Sequence, residues 1–147
     1  MAQFIGTSML RGFEGEITRG AFDYTTEIKA NDATTPVTKF GIAVKLNATA
    51  DAVTPCDDDA DAVYGISVRE YGQVNESGVQ AQKLVTVLKR GYIAVKPKAG
   101  TPALGGAVYL DADGLISADS TGAVQITGAY WMGAKDANGL AELAFNI

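Results

Sequence analysis

The sequence predicts an all-β fold, a small sandwich or barrel of about eight or nine short strands. Apolar and polar residues alternate with a period of two in several short stretches, as in β-strands. The 17 glycines, with abundant Val, Ala and Thr, favour short strands joined by tight turns. No segment shows the 3.6-residue apolar period of a helix over a useful length. At 147 residues, the chain is long enough to form one domain with its own core.

The first part of the chain, residues 1–13, fits neither a helix nor a strand. Its large apolar residues are Phe4, Ile5, Met9, Leu10 and Phe13. Glycines at positions 6 and 12 interrupt any regular element, yet so many apolar side chains are costly to leave in water. We therefore interpret residues 1–13 as an extended N-terminal arm that docks on its own domain or on a neighbour. Residues 14–147 are then a single β-rich domain.

The next elements follow from alternation. In residues 22–29, Phe22, Tyr24, Thr26 and Ile28 occupy one face, which predicts a half-buried strand with that face inward. Residues 40–46 predict another strand, paired with residues 62–69 across a loop at 47–61. Residues 72–82 read as a second polar loop.

The longest alternating stretch runs over residues 83–95 and is apolar on both faces, so we expect it at the centre of the fold. Gly91 within it predicts a bulge or sharp bend. Residues 107–110 and 115–117 predict a hairpin with a turn at Gly114. Residues 123–134 read as a long buried strand, and residues 140–145 as the last strand after a turn at 136–139.

Charge is unevenly distributed along the chain. The net charge is −5, which argues against nucleic acid as the main partner. Residues 83–98 nevertheless hold five cations and no anion. Such a basic island is either a solvated strand end that balances acidic neighbours or a contact with an acidic protein surface. The contact interpretation assigns it to Lys89, Arg90, Lys96 and Lys98.

The sequence offers little for catalysis. It contains no histidine, which removes the commonest general base and metal ligand. Cys56 has no histidine to activate it, and its aspartate neighbours should raise its pKa. The acidic run 57–61 lacks the Gly and Glu of a calcium loop, since Ala62 and Val68 stand in their places. We therefore expect no enzyme, no metal site and no cofactor.

Three further features bear on the compartment and on a membrane partner. A single cysteine cannot form an internal disulfide, so the chain suits synthesis in a reducing cytoplasm. The first residues lack a basic region followed by an apolar run, so no signal peptide is predicted. No window is long and apolar enough to cross a bilayer, so no membrane partner is predicted.

Several short motifs, taken in their order, resemble the head decoration proteins of tailed bacteriophages, also called structural cement proteins. They are FGIAV at 40–44, YGISVR at 64–69, VLKRGYIAV at 87–95, GGAVYL at 105–110, the glycine turn at 113–114, and the late strands at 126–128 and 143–145. The similarity spans residues 12–147.

The resemblance implies a β-rich domain on the outer surface of the capsid that clamps neighbouring major capsid proteins. It further implies homotrimers at local three-fold positions, an N-terminal segment that grips the shell, and no catalytic residues. Two other functions remain open from the residues alone. One is a carbohydrate-binding β-sandwich, which needs exposed aromatic rings on one face. The other is a different virion part, such as a minor capsid or tail-tube protein.

Overall fold

A computed structural model describes residues 12–20, 22–69, 74–75, 78–79 and 83–147. Within these residues all regular structure is β, which confirms the predicted fold class. The strands are β1 (Thr25–Asn31), β2 (Ala43–Leu46), β3 (Ala52–Pro55), β4 (Gly65–Ser67), β5 (Val74–Asn75), β6 (Gly78–Val79), β7 (Leu84–Val95), β8 (Ala107–Asp111), β9 (Ile116–Ser117), β10 (Ala123–Trp131) and β11 (Ala141–Phe145). No helix in the described part of the chain is long and apolar enough to cross a membrane.

Nine strands form one mixed sheet in the order β1-β3-β2-β4-β7-β11-β10-β8-β9, and β1 also pairs with β7. This last pairing closes β1, β3, β2, β4 and β7 into a small five-stranded barrel. The strands β11, β10, β8 and β9 continue the sheet from β7. The β1–β3 pair is parallel, whereas the other pairs are antiparallel. The short strands β5 and β6 pair only with each other among the described residues.

The strand β7 is the shared element, as the sequence predicted. Its first half pairs with β1 and β4, and its second half pairs with β11. The change of partner occurs at Gly91, which faces Phe145 of β11. The register with β1 slips just before this point, because Thr25 faces Arg90 while Thr26 faces Leu88. The predicted irregularity at this glycine is therefore present.

Two apolar clusters stabilise the two parts of the sheet. One cluster consists of Val44, Val53, Val85 and Val87 from the barrel strands, together with Val37 from the chain between β1 and β2. A larger cluster joins the barrel to the remaining strands and includes Ile66, Leu88, Ile93, Leu110, Trp131, Leu143 and Phe145. Because β7 supplies residues to both clusters, the two parts share one continuous strand. Burial of each such side chain contributes about 1.5–3 kcal/mol.

The first predicted strand is present, but its orientation was predicted wrongly. Phe22 is 97% exposed and Ile28 is 67% exposed, so the supposed inward face points to solvent. The opposite face carries Glu27, whose carboxylate accepts the hydroxyl of Tyr64 and pairs with Lys29 at 3.1 Å. Glu27 and Lys29 are only partly exposed because they find these partners, which alternation alone cannot reveal.

Three further expectations need correction. Residues 47–61 are not one loop, because β3 lies within them and pairs with β1 and β2. Residues 72–82 include the two-residue strands β5 and β6. The strand β10 ends at Trp131 and buries only some of its residues, since Val124 and Thr127 are exposed while Ile126 is buried. The predicted pairing of β2 with β4, the hairpin β8–β9 and the last strand β11 are confirmed.

Candidate functional site

The segment that leads into the sheet, residues 15–19, is here called the entry segment. Gly15 donates its N–H to the carbonyl of Ala94 at 2.8 Å, and its carbonyl accepts the N–H of Arg69 at 2.7 Å. A Cβ on Gly15 would lie 2.5 Å from that of Phe40, and one on Gly41 would lie 2.8 Å from the Gly15 nitrogen. Glycines at these positions therefore bring the start of β2 and the ends of β4 and β7 together.

An open groove of about 450 Å³ lies where these segments converge, and we call it the basic groove. Its cationic lining residues are Lys39, Arg69, Lys96 and Lys98, and Glu14 is the carboxylate among the lining residues. The apolar lining consists of Phe40, Ile42, Pro97, Leu115 and Ile116. The groove thus combines an excess of positive charge with an apolar wall.

Arg69 is held in the basic groove by two aromatic rings. The centre of its guanidinium lies 4.7 Å from the centroid of the Phe13 ring and 5.5 Å from that of Phe40. Cation–π contacts of this kind hold the planar group in place while leaving its N–H edges available. In the described part of the chain, no carboxylate forms an ion pair with Arg69.

Sequence reasoning missed Lys39 and Arg69. Both occur in the acidic stretch between residues 31 and 82, where counting charges along the chain hides them. The basic island predicted from residues 83–98 reaches the groove only through Lys96 and Lys98. The signal that could have found Arg69 is its place just after β4, since the end of β4 meets the start of β2 in an antiparallel pair.

Two members of the predicted basic island are used within the protein. Lys89 lies with its Nζ 3.3 Å from the centroid of the Tyr64 ring and donates to the carbonyl of Tyr64. Burial lowers the pKa of Lys89, although the nearby carboxylate of Glu27 acts to raise it. Lys98 pairs with Asp111 at 2.7 Å and with Asp113, and hydrogen bonds to these two carboxylates raise its pKa.

The other two members, Arg90 and Lys96, are exposed. Neither forms an ion pair with a carboxylate among the described residues. The structure therefore divides these four cations into two that have partners within the protein and two whose charge is open to another molecule. The apolar residues Phe4, Ile5, Met9 and Leu10 of the predicted arm lie outside the described residues, whereas Phe13 is 62% exposed beside Arg69.

The entry segment is fixed by side chains as well as by its backbone. The hydroxyl of Thr18 donates to Glu142 at 2.5 Å, and Arg19 donates from Nη2 to the same carboxylate at 2.7 Å. The guanidinium of Arg19 also lies 4.0 Å from the centroid of the Tyr92 ring. Because Glu142 is buried on β11, these contacts attach the start of the domain to the centre of the sheet.

Exposed apolar residues occur just before β1, on β1 and at the start of β7. They are Phe22, Tyr24, Ile28 and Leu84, and together we call them the apolar face. The strand β1 pairs with β3 only at its last two residues, so among the described strands residues 25–29 have β7 alone as a neighbour. An apolar surface beside a free strand edge is typical of an interaction site.

The acidic run 57–61 forms a closed turn. The ammonium of Lys45 binds Asp57 and Asp61, and the Asp61 carboxylate also accepts the N–H of Asp57 at 2.8 Å. No cluster of three or more metal-ligating side chains occurs in the described part of the chain. Burial, followed by the charge of Asp61, raises the pKa of Cys56 to about 12, which confirms the predicted direction.

Comparisons with known proteins agree with this architecture. Residues 2–146 match the family model described as structural cement protein (E217 gp24/Pam3 gp6). Among solved structures, a chain from the capsid of Myoviridae phage XM1 matches with a TM-score of 0.74 and 16% sequence identity, covering 99% of this chain and 97% of that one. At that identity the structural match shows the fold. No curated protein matches the chain. Because the family model covers nearly the whole sequence, the chain belongs to the structural cement protein family, a non-enzymatic component of the phage capsid in the virion.

Proposed function

We propose that this cement protein binds the outer surface of the assembled head and stabilises it by clamping neighbouring major capsid proteins. The observation that carries the proposal is the family match over residues 2–146. The chain also presents features suited to such a role. It has a body built around one shared strand, a basic groove with open charges, and an exposed apolar face.

The proposed contacts with the shell or with other subunits come from two groups of residues. The first is the arm, through Phe4, Ile5, Met9, Leu10 and Phe13, whose apolar side chains would be buried against a neighbour. The second is the basic island, through Lys89, Arg90, Lys96 and Lys98. Within the second group, Arg90 and Lys96 should contribute most, because the other two cations already have partners in the protein.

We further propose that the protein associates with itself, as a homotrimer. The apolar face supports self-association because it leaves Phe22 and Ile28 largely in water in a single copy. Several copies bound at once would hold the shell through avidity, without requiring one very tight contact. Light scattering of the purified protein at micromolar concentration tests this part of the proposal. A clean monomer would contradict it.

The main experiment mixes the purified protein with heads assembled without it. We expect saturable binding, exposure of the bound protein to antibody from outside, and heads that withstand higher temperature than undecorated ones. Protein that binds tail tubes instead would overturn the proposal in favour of another virion part. A glycan array tests the carbohydrate alternative, for which Trp131 is a poor candidate because its side chain is only 1% exposed.

A further inference from the structure

We infer that the basic groove is the docking site for an extended acidic segment of the major capsid protein. This inference rests on the proposed function and names the surface and the chemistry of the contact. The groove lies between the entry segment, the start of β2 and the chain that follows β7. It adds Lys39 and Arg69 to the contact residues predicted from the sequence.

Arg69 is the main recognition group in this inference. Its guanidinium is oriented by Phe13 and Phe40, so little side-chain freedom is lost when a ligand binds. A guanidinium with free N–H edges matches the two oxygens of a carboxylate in a bidentate pair. No hydrogen bond from the Arg69 side chain occupies those edges within the described residues.

The other residues that line the basic groove indicate a ligand with more than one carboxylate. Lys39 and Lys96 are exposed and form no ion pair in the described part of the chain, whereas Lys98 is already balanced by Asp111 and Asp113. The groove therefore has about two further positive charges to satisfy beyond Arg69, against one negative charge on Glu14. The apolar wall favours a segment that carries aliphatic side chains between its carboxylates.

Three other occupants of the basic groove are less favourable: the arm of this chain, a second copy of the protein, and a nucleic acid. Residues 1–11 of this chain contain Arg11 and no acidic residue, so the arm does not complement a basic groove. The acidic loop of a second copy is a poor ligand because Asp57 and Asp61 already bind Lys45. A nucleic acid would need a longer basic track than this groove offers, on a protein whose net charge is −5.

The test uses undecorated heads and three variants of the full chain. The first variant combines Lys39→Gln with Lys96→Gln, and the second carries Arg69→Gln. The control carries Lys135→Gln, an exposed lysine outside both the groove and the basic island, and so removes the same charge as the second variant. Thermal unfolding of each variant checks that it is folded, and Arg69→Lys replaces the second variant if Arg69→Gln is not.

We expect the double lysine variant to bind undecorated heads roughly 3- to 30-fold more weakly than the unchanged chain. Arg69→Gln should weaken binding by about 10- to 100-fold, because a charge-assisted bidentate pair is lost. The control should bind within about 2-fold of the unchanged chain. A synthetic peptide of alternating Asp and Leu should compete with the heads, whereas a poly-dT oligonucleotide should not.

The outcomes separate the inference from the proposed function. If the unchanged chain does not bind heads at all, the proposed function fails and the inference fails with it. If the unchanged chain binds and the groove variants bind equally well, the groove inference is overturned while the proposed function stands. Competition by the oligonucleotide, or loss of self-association in the groove variants without heads, would also overturn the inference, since each identifies a different occupant.

Discussion

Asp61 is the carboxylate around which the turn after β3 is built. Its side chain accepts the N–H groups of Asp57 and Asp58 at 2.8 and 3.0 Å and binds the ammonium of Lys45 at 2.9 Å. Burial, the largest single effect, opposes its ionisation. The backbone N–H groups of Asp57 and Asp58, together with the hydrogen bond and the charge of Lys45, outweigh burial, so the pKa of Asp61 is lowered from its ordinary value of 3.8. The charged form is therefore stabilised by folding.

This lowered pKa predicts a pH dependence of stability. The unfolded chain binds the proton more tightly, so the contribution of Asp61 is fully present above the ordinary pKa of 3.8 and is lost as pH falls through the lower folded pKa. Asp61→Asn should reduce the free energy of unfolding by about 1–3 kcal/mol at pH 7. The deficit should shrink in urea titrations repeated at pH values progressively below about 4, as the pH approaches the lowered pKa of folded Asp61 and the native carboxylate begins to bind a proton.

Asp59 provides the matched control in the same turn. Its pKa is raised, chiefly by its hydrogen bond with Asp58 and then by burial. Ionised Asp59 is therefore disfavoured by folding, and Asp59→Asn should leave stability at pH 7 unchanged or slightly higher. A loss of stability at pH 7 in Asp59→Asn equal to that in Asp61→Asn would show that the turn responds to any lost charge. The specific role assigned to Asp61 would then be wrong.

At the scale of a strand, Gly91 is the residue that lets β7 belong to two parts of the sheet. Its φ is 143°, which side-chain-bearing residues rarely adopt. A Cβ at this position would lie 2.7 Å from Tyr24 Cβ and 3.1 Å from Leu88 Cδ1. Both the backbone conformation and the space around it therefore require glycine where β7 exchanges its pairing with β1 for pairing with β11.

Gly91→Ala should consequently destabilise the fold by about 2–4 kcal/mol, from backbone strain and a clash in a packed region. In a chain of this length, that corresponds to a decrease of roughly 5–15 °C in the thermal midpoint. Gly122→Ala is the control, because Gly122 also has positive φ, at 61°, but no atom lies within 4 Å of the added Cβ. It should cost only about 1 kcal/mol. Equal losses in the two variants would contradict the packing argument.

The elements that the sequence predicted correctly are those with strong local patterns. The alternation in residues 83–95 predicted β7, and the turn at Gly114 predicted the β8–β9 hairpin. The strand β3 escaped prediction because it is only four residues long, ends in a proline and follows β2 through a turn without glycine, in which Ala50 takes a positive φ of 58°. The glycine that usually marks such a turn is absent from the sequence.

For the basic groove, too, local sequence patterns predicted only part of the arrangement. Residues 83–98 stood out as basic, so Lys96 was found, but local sequence could not tell which cations have internal partners. Lys98 is balanced by Asp111 and Asp113, which approach it only in the fold. Arg69 could not be grouped with Lys96 from sequence, since Gly15 joins the ends of β4 and β7 through backbone hydrogen bonds.

At the scale of the whole molecule, the entry segment connects the β-rich domain to the N-terminal arm, which is proposed to contact other proteins. Backbone bonds join Gly15 to Ala94 at 2.8 Å and Thr18 to the carbonyl of Tyr92 at 3.1 Å. Deletion of residues 2–12 leaves all of these bonds in place. Deletion of residues 2–19 removes them together with Arg19, which leaves the buried Glu142 without the ion pair it makes with that residue. The two truncations therefore test whether residues 1–13 are an arm or part of the core.

We predict that the chain lacking residues 2–12 folds with a thermal midpoint within a few degrees of the intact protein but attaches to undecorated heads more weakly. Burying three apolar side chains of the arm against a neighbour would contribute about 1.5–3 kcal/mol each, whereas ordering its backbone costs roughly 1–2 kcal/mol per residue. An isolated copy gains little by fixing the arm, but a shell or a symmetric assembly offers more surface for it. The chain lacking residues 2–19 should instead lose about 3–5 kcal/mol of stability, because the ion pair between Arg19 and the buried Glu142 is removed together with the backbone hydrogen bonds of the entry segment. Circular dichroism melts and co-sedimentation with heads measure both effects. Unfolding of the shorter truncation would mean that residues 1–13 are core, and unchanged attachment to heads would mean that the arm does not grip the shell.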